Sequence, residues 1–383
     1  MKSSTKNTHF FLTRVALCWG LLGVSQPPLN AQTPANTANF ISNVRSIQFE
    51  QLCSRHSIAC TDIGKAAHLT TNLIYQLFDT ERTKNPTQRT NIINQISQLY
   101  KAKQIDVVNK RLKLSDFFVV KKDKVFGGYA VLIRQIERQQ LGRRKASFVI
   151  AFKGTYVGLE DPNDLAANIT GLPVNMYRNA AVLIHEGFKN YASTVFADEK
   201  SKELVAEILR WQKQPNTDIE VLITGHSLGG TAILYAAMLA DAGILPSKMK
   251  IIVFGAPAFM QQNFQQRYPK LVSKIIRVET EGDFLSYEKP GLMRPIYDSL
   301  SYIPLGNLMR AVAPEEYREL MREREILLKQ YQASASEQAK ANYFNLMRRI
   351  IAAQANIHVY SYRYFYEYYR RTQGANLTGI SDR

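Results

Sequence analysis

The chain has 383 residues, 45% of them hydrophobic and 10% aromatic, which is enough apolar material for a sizeable core and too much for a disordered polymer. Its formal net charge of +17 favours adsorption to anionic surfaces such as phospholipid, nucleic acid or cell envelope. No basic and aromatic nucleic-acid motif accompanies that charge, so nucleic acid is not an expected partner, and no zinc-type or EF-hand spacing points to a metal.

In chain order, Lys2, Lys6 and Arg14 precede an apolar run over residues 15–24, and Ala31 offers a small residue for cleavage. That is the layout of a secretory signal over residues 1–31, its run short of the ~20 apolar residues that span a bilayer. An uncleaved anchor is the alternative. Export places the mature chain outside the cell or in a periplasm, and loss of Lys2, Lys6 and Arg14 still leaves it strongly basic. Cys18 falls in the removed part, and the remaining Cys53 and Cys60 are expected to form a local disulfide in an oxidising compartment.

Residues 32–113 read as a helical segment packed on the core. Residues 62–78 place Ile63, Ala66, Ala67, Leu73, Ile74, Leu77 and Phe78 at helical spacing behind Asp62 as N-cap, and a second helix follows Pro86 with Ile92, Ile96 and Leu99 inward. Strands are predicted over 117–120, 126–136 and 147–152, then a short strand over 182–185 and a helix over 200–213. The buried strand 220–224, helix 228–242, strand 250–254, a helix near Phe264 and strand 274–279 follow. Strands alternating with helices give a mostly parallel sheet covered on both faces, and the early hairpins add an antiparallel N-terminal edge: the α/β-hydrolase layout, over residues 114–383. A helical hairpin insertion is expected at about 304–356, with apolar stripes of Tyr317, Leu320, Met321, Leu327, Leu328 and Tyr331, then Tyr343, Leu346, Met347 and Ile350. Ser334 and Glu337 read as a capping box between its helices.

A serine hydroxyl needs a base to take its proton, a carboxylate to orient that base, and donors for the tetrahedral oxyanion. Gly225-His226-Ser227-Leu228-Gly229 supplies Ser227 as the nucleophile, because the pattern joins a predicted strand to a predicted helix at a turn where small residues relieve crowding. The Leu228 backbone N–H opens that helix and is one oxyanion donor. The triad order of this fold then calls for a carboxylate and, after it, a histidine. Asp283 follows the strand 274–279, with Glu279, Glu281 and Asp298 as rivals, and His358 is the histidine that follows Ser227. This chemistry needs no cofactor.

The chain resembles the class 3 lipases in four successive segments: Phe152-Lys153-Gly154-Thr155, His185-Glu186-Gly187-Phe188, Gly225-His226-Ser227-Leu228-Gly229-Gly230 and Phe254-Gly255-Ala256-Pro257. The resemblance implies that Thr155 supplies the other oxyanion donors, with Lys153 where the family has arginine. It also implies that Asp164 and Leu165 support that loop, that His185 and His226 shape the site, and that the segment around His358 is the terminal histidine motif. After Asp283 the chain reads Phe284-Leu285-Ser286 where the family continues with a valine–proline pair. His56 and His68 are read as surface or packing residues.

The expected function is therefore a secreted carboxylic-ester hydrolase, a lipase or phospholipase A acting on glycerolipids, with lipid-interface contact and no identified protein partner. Residues 156–182 or the helical hairpin are lid candidates. The aromatic and basic tract at 360–371 reads either as an interfacial helix or as a packed terminal helix. Two alternatives stand beside this: a catalytically silent lipase-like protein that binds lipid or envelope, and an esterase or thioesterase acting on soluble acyl substrates.

Overall fold

The computed structural model describes residues 53–55, 59–110, 127–138, 144–155, 173–176, 182–287, 293–311, 313, 315–334, 336–362 and 365–366. The expected signal segment, His56, the strand at 117–120, and Asp164 with Leu165 lie outside these. So does most of the lid candidate 156–182.

Helices α1 (Cys60–His68) and α2 (Ile74–Arg82) are joined by a π-helical turn, Leu69–Leu73, into one continuous rod, and α3 (Pro86–Tyr100) follows. Asn85 caps α3 by accepting from the Gln88 N–H, and Pro86 occupies its first turn, where no N–H is needed. Ile63, Ala66, Ala67, Leu73, Ile74, Leu77 and Phe78 are buried as their spacing predicts. The expected Asp62 cap is not made. The α1 N-cap is Ala59, and Asp62 in the first turn instead pairs with Lys250 at 3.1 Å.

Strands β1 (Gln104–Lys110), β2 (Gly128–Arg138) and β3 (Arg144–Phe152) form an antiparallel meander. After them come β4 (Pro173–Asn175), β5 (Leu183–His185), α4 (Glu186–Phe196), α5 (Glu199–Gln212), β6 (Thr217–His226), a 3₁₀ turn (Ser227–Thr231) and α6 (Ala232–Asp241). Next are β7 (Met249–Phe254), α7 (Gln262–Arg267), α8 (Pro269–Val272), β8 (Ile275–Thr280), α9 (Arg294–Ser299), β9 (Asn307–Ala311), α10 (Glu315–Ser334) and α11 (Glu337–Tyr360). The main sheet runs β1-β2-β3-β6-β7-β8-β9, parallel from β3 onward, while β4 and β5 pair with each other. This is an α/β-hydrolase sheet with an antiparallel N-terminal edge.

The alternation of β3 shows how the sheet holds two cores. Ala146, Phe148, Ile150 and Phe152 face the side covered by α4, α5 and α6, whereas Val149 and Ala151 face the side covered by α1, α2 and α3. The N-terminal helices are thus one wall of the central sheet.

Three expectations change. The stretch read as helical up to residue 113 contributes β1 to the sheet; its buried Val107 and Val108 are flanked by polar residues, too short a pattern to stand out. The expected insertion at 304–356 begins with a sheet strand, β9, because residues 307–311 complete the parallel edge beside β8. The hairpin proper starts at Glu315. Its second helix is capped by Ser336, which accepts from the Ala339 N–H, whereas Ser334 ends α10 and bonds back to the Gln330 carbonyl. The capping box at Ser334 is therefore not formed. In the terminal tract, Tyr362, Phe365 and Tyr366 are buried against the fold.

Candidate active site

Strand β6 delivers His226 in extended backbone, and the next residue, Ser227, turns the chain with a φ of +57° before the 3₁₀ turn and α6 begin. A non-glycine residue held in the left-handed region is strained, and such strain gathers at functional turns. The turn exists because Gly225 and Gly229 lack side chains: a Cβ on Gly225 would lie 2.0 Å from the Gly229 carbonyl oxygen, and one on Gly229 would lie 2.6 Å from that of Phe152. Ser227 is only 6% exposed. Leu228 follows at the opening of the helical turn, where its N–H faces no helical acceptor of its own.

Asp283 stands on the loop after β8, 1% exposed. His358 lies in the last turn of α11, and its Nδ1 is 3.0 Å from each carboxylate oxygen of Asp283. Two further donors hold the carboxylate: the Leu285 N–H reaches Oδ1 at 2.9 Å and the Tyr362 hydroxyl reaches Oδ2 at 2.5 Å. Burial, followed by the charge of Asp283, pushes the Tyr362 hydroxyl well above the ordinary tyrosine range, so it stays protonated and donates. Tyr297 fastens the same loop by donating to the Leu285 carbonyl at 3.1 Å. The Phe284 ring meets His358 edge-on at 4.9 Å, so the residues that depart from the family pattern after Asp283 still pack against the base.

The rival carboxylates are engaged elsewhere. Glu279 pairs with buried Arg277 at 3.0 Å and accepts from the Ser286 hydroxyl at 2.6 Å. Glu281 accepts from the Ala313 N–H, and Asp298 from the Tyr287 hydroxyl.

His226 joins the two halves of the site. Its Nε2 lies 2.8 Å from the His358 carbonyl oxygen, and the two rings are 4.7 Å apart. Ser227 makes no hydrogen bond to His358 among the described residues; the contact with His358 comes from its chain neighbour His226. His185 caps α4 by accepting from the Gly187 N–H at 3.1 Å, and burial lowers its pKa to about 4, which keeps it a neutral acceptor. It packs against Phe188 and Tyr302 and takes no part in the Asp283–His358 pair.

The strand end Lys153-Gly154-Thr155 runs directly against the nucleophile: a Cβ on Gly154 would stand 3.1 Å from the Ser227 Cβ and 2.3 Å from the His226 carbonyl oxygen. Lys153 is 1% exposed, and its ammonium donates to the Gly154 carbonyl at 3.0 Å. Thr155 is the last residue described on this strand end and is partly exposed. Two contributors carry no functional signal in the sequence. Tyr75, on α2, brings its hydroxyl within 3.3 Å of His226 Nδ1, and Tyr362 was seen as part of an aromatic tract, with no sign that its hydroxyl binds Asp283.

Residues 149–288 match the family model described as Lipase (class 3). The match includes Thr155, Ser227, Leu228 and Asp283 and ends before His358. The chain is 28% identical over 232 residues to phospholipase A1-Igamma2, chloroplastic, of Arabidopsis thaliana, which covers 53% of this chain and 44% of that protein. It is 35% identical over 108 residues to a lipase of Caenorhabditis elegans, covering 28% of this chain and 29% of the relative. Among solved structures, the triacylglyceride lipase of Rhizomucor miehei aligns with a TM-score of 0.42 at 17% identity, over 65% of this chain and 78% of that one. The chain spans less than half the length of the curated relatives it matches.

Proposed function

Because residues 149–288 match the class 3 lipase model, we propose that the chain is a serine carboxylic-ester hydrolase that cleaves acyl esters of glycerolipids. Ser227 Oγ attacks the ester carbonyl while His358 Nε2 takes its proton, and Asp283 holds Nδ1 and stabilises the imidazolium. The oxyanion is received by the Leu228 N–H and by Thr155. His358 returns the proton to the departing alcohol, and water then releases the acyl group by the same steps. The observation that carries this is the Asp283–His358 pair, formed by groups 75 positions apart in the chain and contacted by His226, the residue that precedes a serine held in left-handed backbone.

Phospholipid is the favoured lipid class, because the chain, +17 over its full length and still strongly basic without Lys2, Lys6 and Arg14, accumulates at anionic bilayers. Interface contact is assigned to the α10–α11 hairpin, whose Ile326 and Phe344 are 59% and 53% exposed. The hairpin is also the lid candidate that lies within the described residues, and its second helix runs straight into His358. Export from the cell is supported by the joined Cys53 and Cys60, since disulfides persist in oxidising compartments.

The test incubates the purified protein, beside Ser227→Ala, with a short-chain p-nitrophenyl ester, a triacylglycerol emulsion and diacyl phospholipid vesicles. Hydrolysis by the wild type and none by the variant is expected. Equal inactivity on all substrates overturns the assignment. The missing Ser227–His358 hydrogen bond favours one other reading, a silent lipid-binding relative. Labelling of Ser227 by an organophosphonate ester would eliminate it.

A further inference from the structure

Tyr75 lies outside the segment that matches the lipase family, on α2, directly after the π-helical turn Leu69–Leu73. A π turn inserts a residue into the helical ladder and shifts which side chains share a face. Here Thr70 and Thr71 bond back to the Ala66 and Ala67 carbonyls, and the residues beyond the turn bring Tyr75 and Phe78, one turn apart, to the Lys153-Gly154 strand end. The Phe78 ring lies 4.3 Å from the Lys153 ammonium, and the Tyr75 hydroxyl touches the other side, where a Cβ on Gly154 would come within 2.3 Å of it.

The same hydroxyl is 3.3 Å from His226 Nδ1, with the rings edge-on at 6.3 Å. The other nitrogen of that ring, Nε2, faces the His358 carbonyl oxygen at 2.8 Å. A carbonyl only accepts, so Nε2 carries the proton and Nδ1 of the neutral ring is the acceptor for the tyrosine. Tyr75 thus stands at the head of a chain of contacts: hydroxyl to His226 Nδ1, His226 Nε2–H to the His358 carbonyl, and His358 Nδ1 to Asp283.

We propose that Tyr75 is a positioning residue of the hydrolase centre, holding His226 in its Nε2–H form so that His226 sets the backbone from which the His358 imidazole projects. This rests on the assignment of Ser227 as the nucleophile. The N-terminal helices thereby complete a site whose nucleophile and carboxylate lie in the family segment.

Tyr75→Phe keeps the ring and removes the hydroxyl. With enzyme concentrations fixed by active-site titration and a soluble p-nitrophenyl ester as substrate, kcat is expected to fall by roughly ten-fold with KM unchanged, the loss typical of a slightly misplaced catalytic group. His226→Gln should lower kcat as well, and the double variant should be no slower than His226→Gln alone, because both act along one chain. Unchanged kcat in Tyr75→Phe, or losses that multiply in the double variant, would overturn the proposal. Nitrogen chemical shifts of the His226 ring in the wild type test it without any variant: a protonated Nε2 is expected, and a protonated Nδ1 with bare Nε2 overturns it. A wild type without esterase activity would instead bring down the hydrolase assignment, and this role with it.

Discussion

Tyr362 sets its hydroxyl 2.5 Å from Asp283 Oδ2, on the carboxylate whose two oxygens both face His358 Nδ1. The tyrosine and the histidine are four residues apart, so the last turn of α11 and the turn that follows it present base and carboxylate donor together. The same hydroxyl accepts from the Thr280 N–H at 3.2 Å, which ties it to the end of β8 as well.

Tyr362→Phe should therefore loosen Asp283 while leaving the aromatic packing against Phe254 in place. Hydrogen bonds to charged groups contribute ~1.5–3 kcal/mol, so a stability loss of about 2 kcal/mol in denaturant titration is expected. A roughly ten-fold lower kcat should accompany it, because the imidazole orientation depends on that carboxylate. Full activity in Tyr362→Phe would mean that the Leu285 N–H alone suffices.

The two buried carboxylates near the site should separate cleanly. Asp283→Asn should lower kcat by about 10⁴, since an amide favours the wrong imidazole tautomer and cannot stabilise the imidazolium. Glu279→Gln should retain most activity per folded molecule yet lose ~3–5 kcal/mol of stability, because it removes the carboxylate from buried Arg277. Paired kcat and denaturant measurements check both, and the reverse pattern would reassign the triad carboxylate.

These two acids illustrate what the sequence could and could not disclose. Chain order in this fold points to Asp283 after β8, but its neighbour Glu279 meets the same rule, and only the contact of Asp283 with His358 and the ion pair of Glu279 with Arg277 separate them. Ser227 was legible from a local pattern whose glycines have a steric cause. Tyr75 was not. Its partner lies 151 positions away, and a helical π turn sets its phase, so no periodicity within its own segment signals the contact. Strand β1 is obscured because its apolar core amounts to two adjacent valines, and Ser334 reads as the α11 cap because Glu337 stands three residues on, whereas Ser336, which makes the cap, has Ala339 at that position.

His185 makes stability depend on pH. Burial lowers its folded pKa to about 4 from the ordinary histidine value of 6.5, so the unfolded chain binds the extra proton first as the medium is acidified. Its contribution is fully present above about pH 6.5 and is lost as pH falls from there through about 4. Thermal midpoints measured across that window should fall more steeply in the wild type than in His185→Asn, which keeps an N-cap acceptor and has no titrating ring. Parallel slopes would show that His185 is not the group responsible.

The Cys53–Cys60 bridge closes a short loop at the start of α1, with a sequence separation of 7. Loop-closure entropy for a ring of that size corresponds to about 2–3 kcal/mol. Because α1 and α2 form the wall that carries Tyr75, Cys60→Ser should lower the unfolding free energy in denaturant titration by that amount while kcat per titrated site stays near the wild-type value. A fall in kcat of the titrated enzyme would mean that the bridge also sets the position of α2.

The exposed apolar side chains of the α10–α11 hairpin allow the proposed interface binding to be tested apart from the chemistry. Ile326 and Phe344 sit one on each helix of the hairpin, away from the Asp283–His358 pair, and Tyr331 stacks on Tyr343 at 5.8 Å to hold the two helices together. Burying one such side chain in lipid is worth ~1.5–3 kcal/mol, so replacing both with aspartate should weaken vesicle binding by at least two orders of magnitude. Hydrolysis of a soluble p-nitrophenyl ester should be unaffected, because neither residue touches the triad. Sedimentation with anionic phospholipid vesicles, read beside the two activities, decides the matter: binding and vesicle hydrolysis that survive Ile326→Asp with Phe344→Asp would move the lipid-facing surface elsewhere on the molecule. If both activities fall together, the hairpin supports the His358 helix more than it contacts lipid.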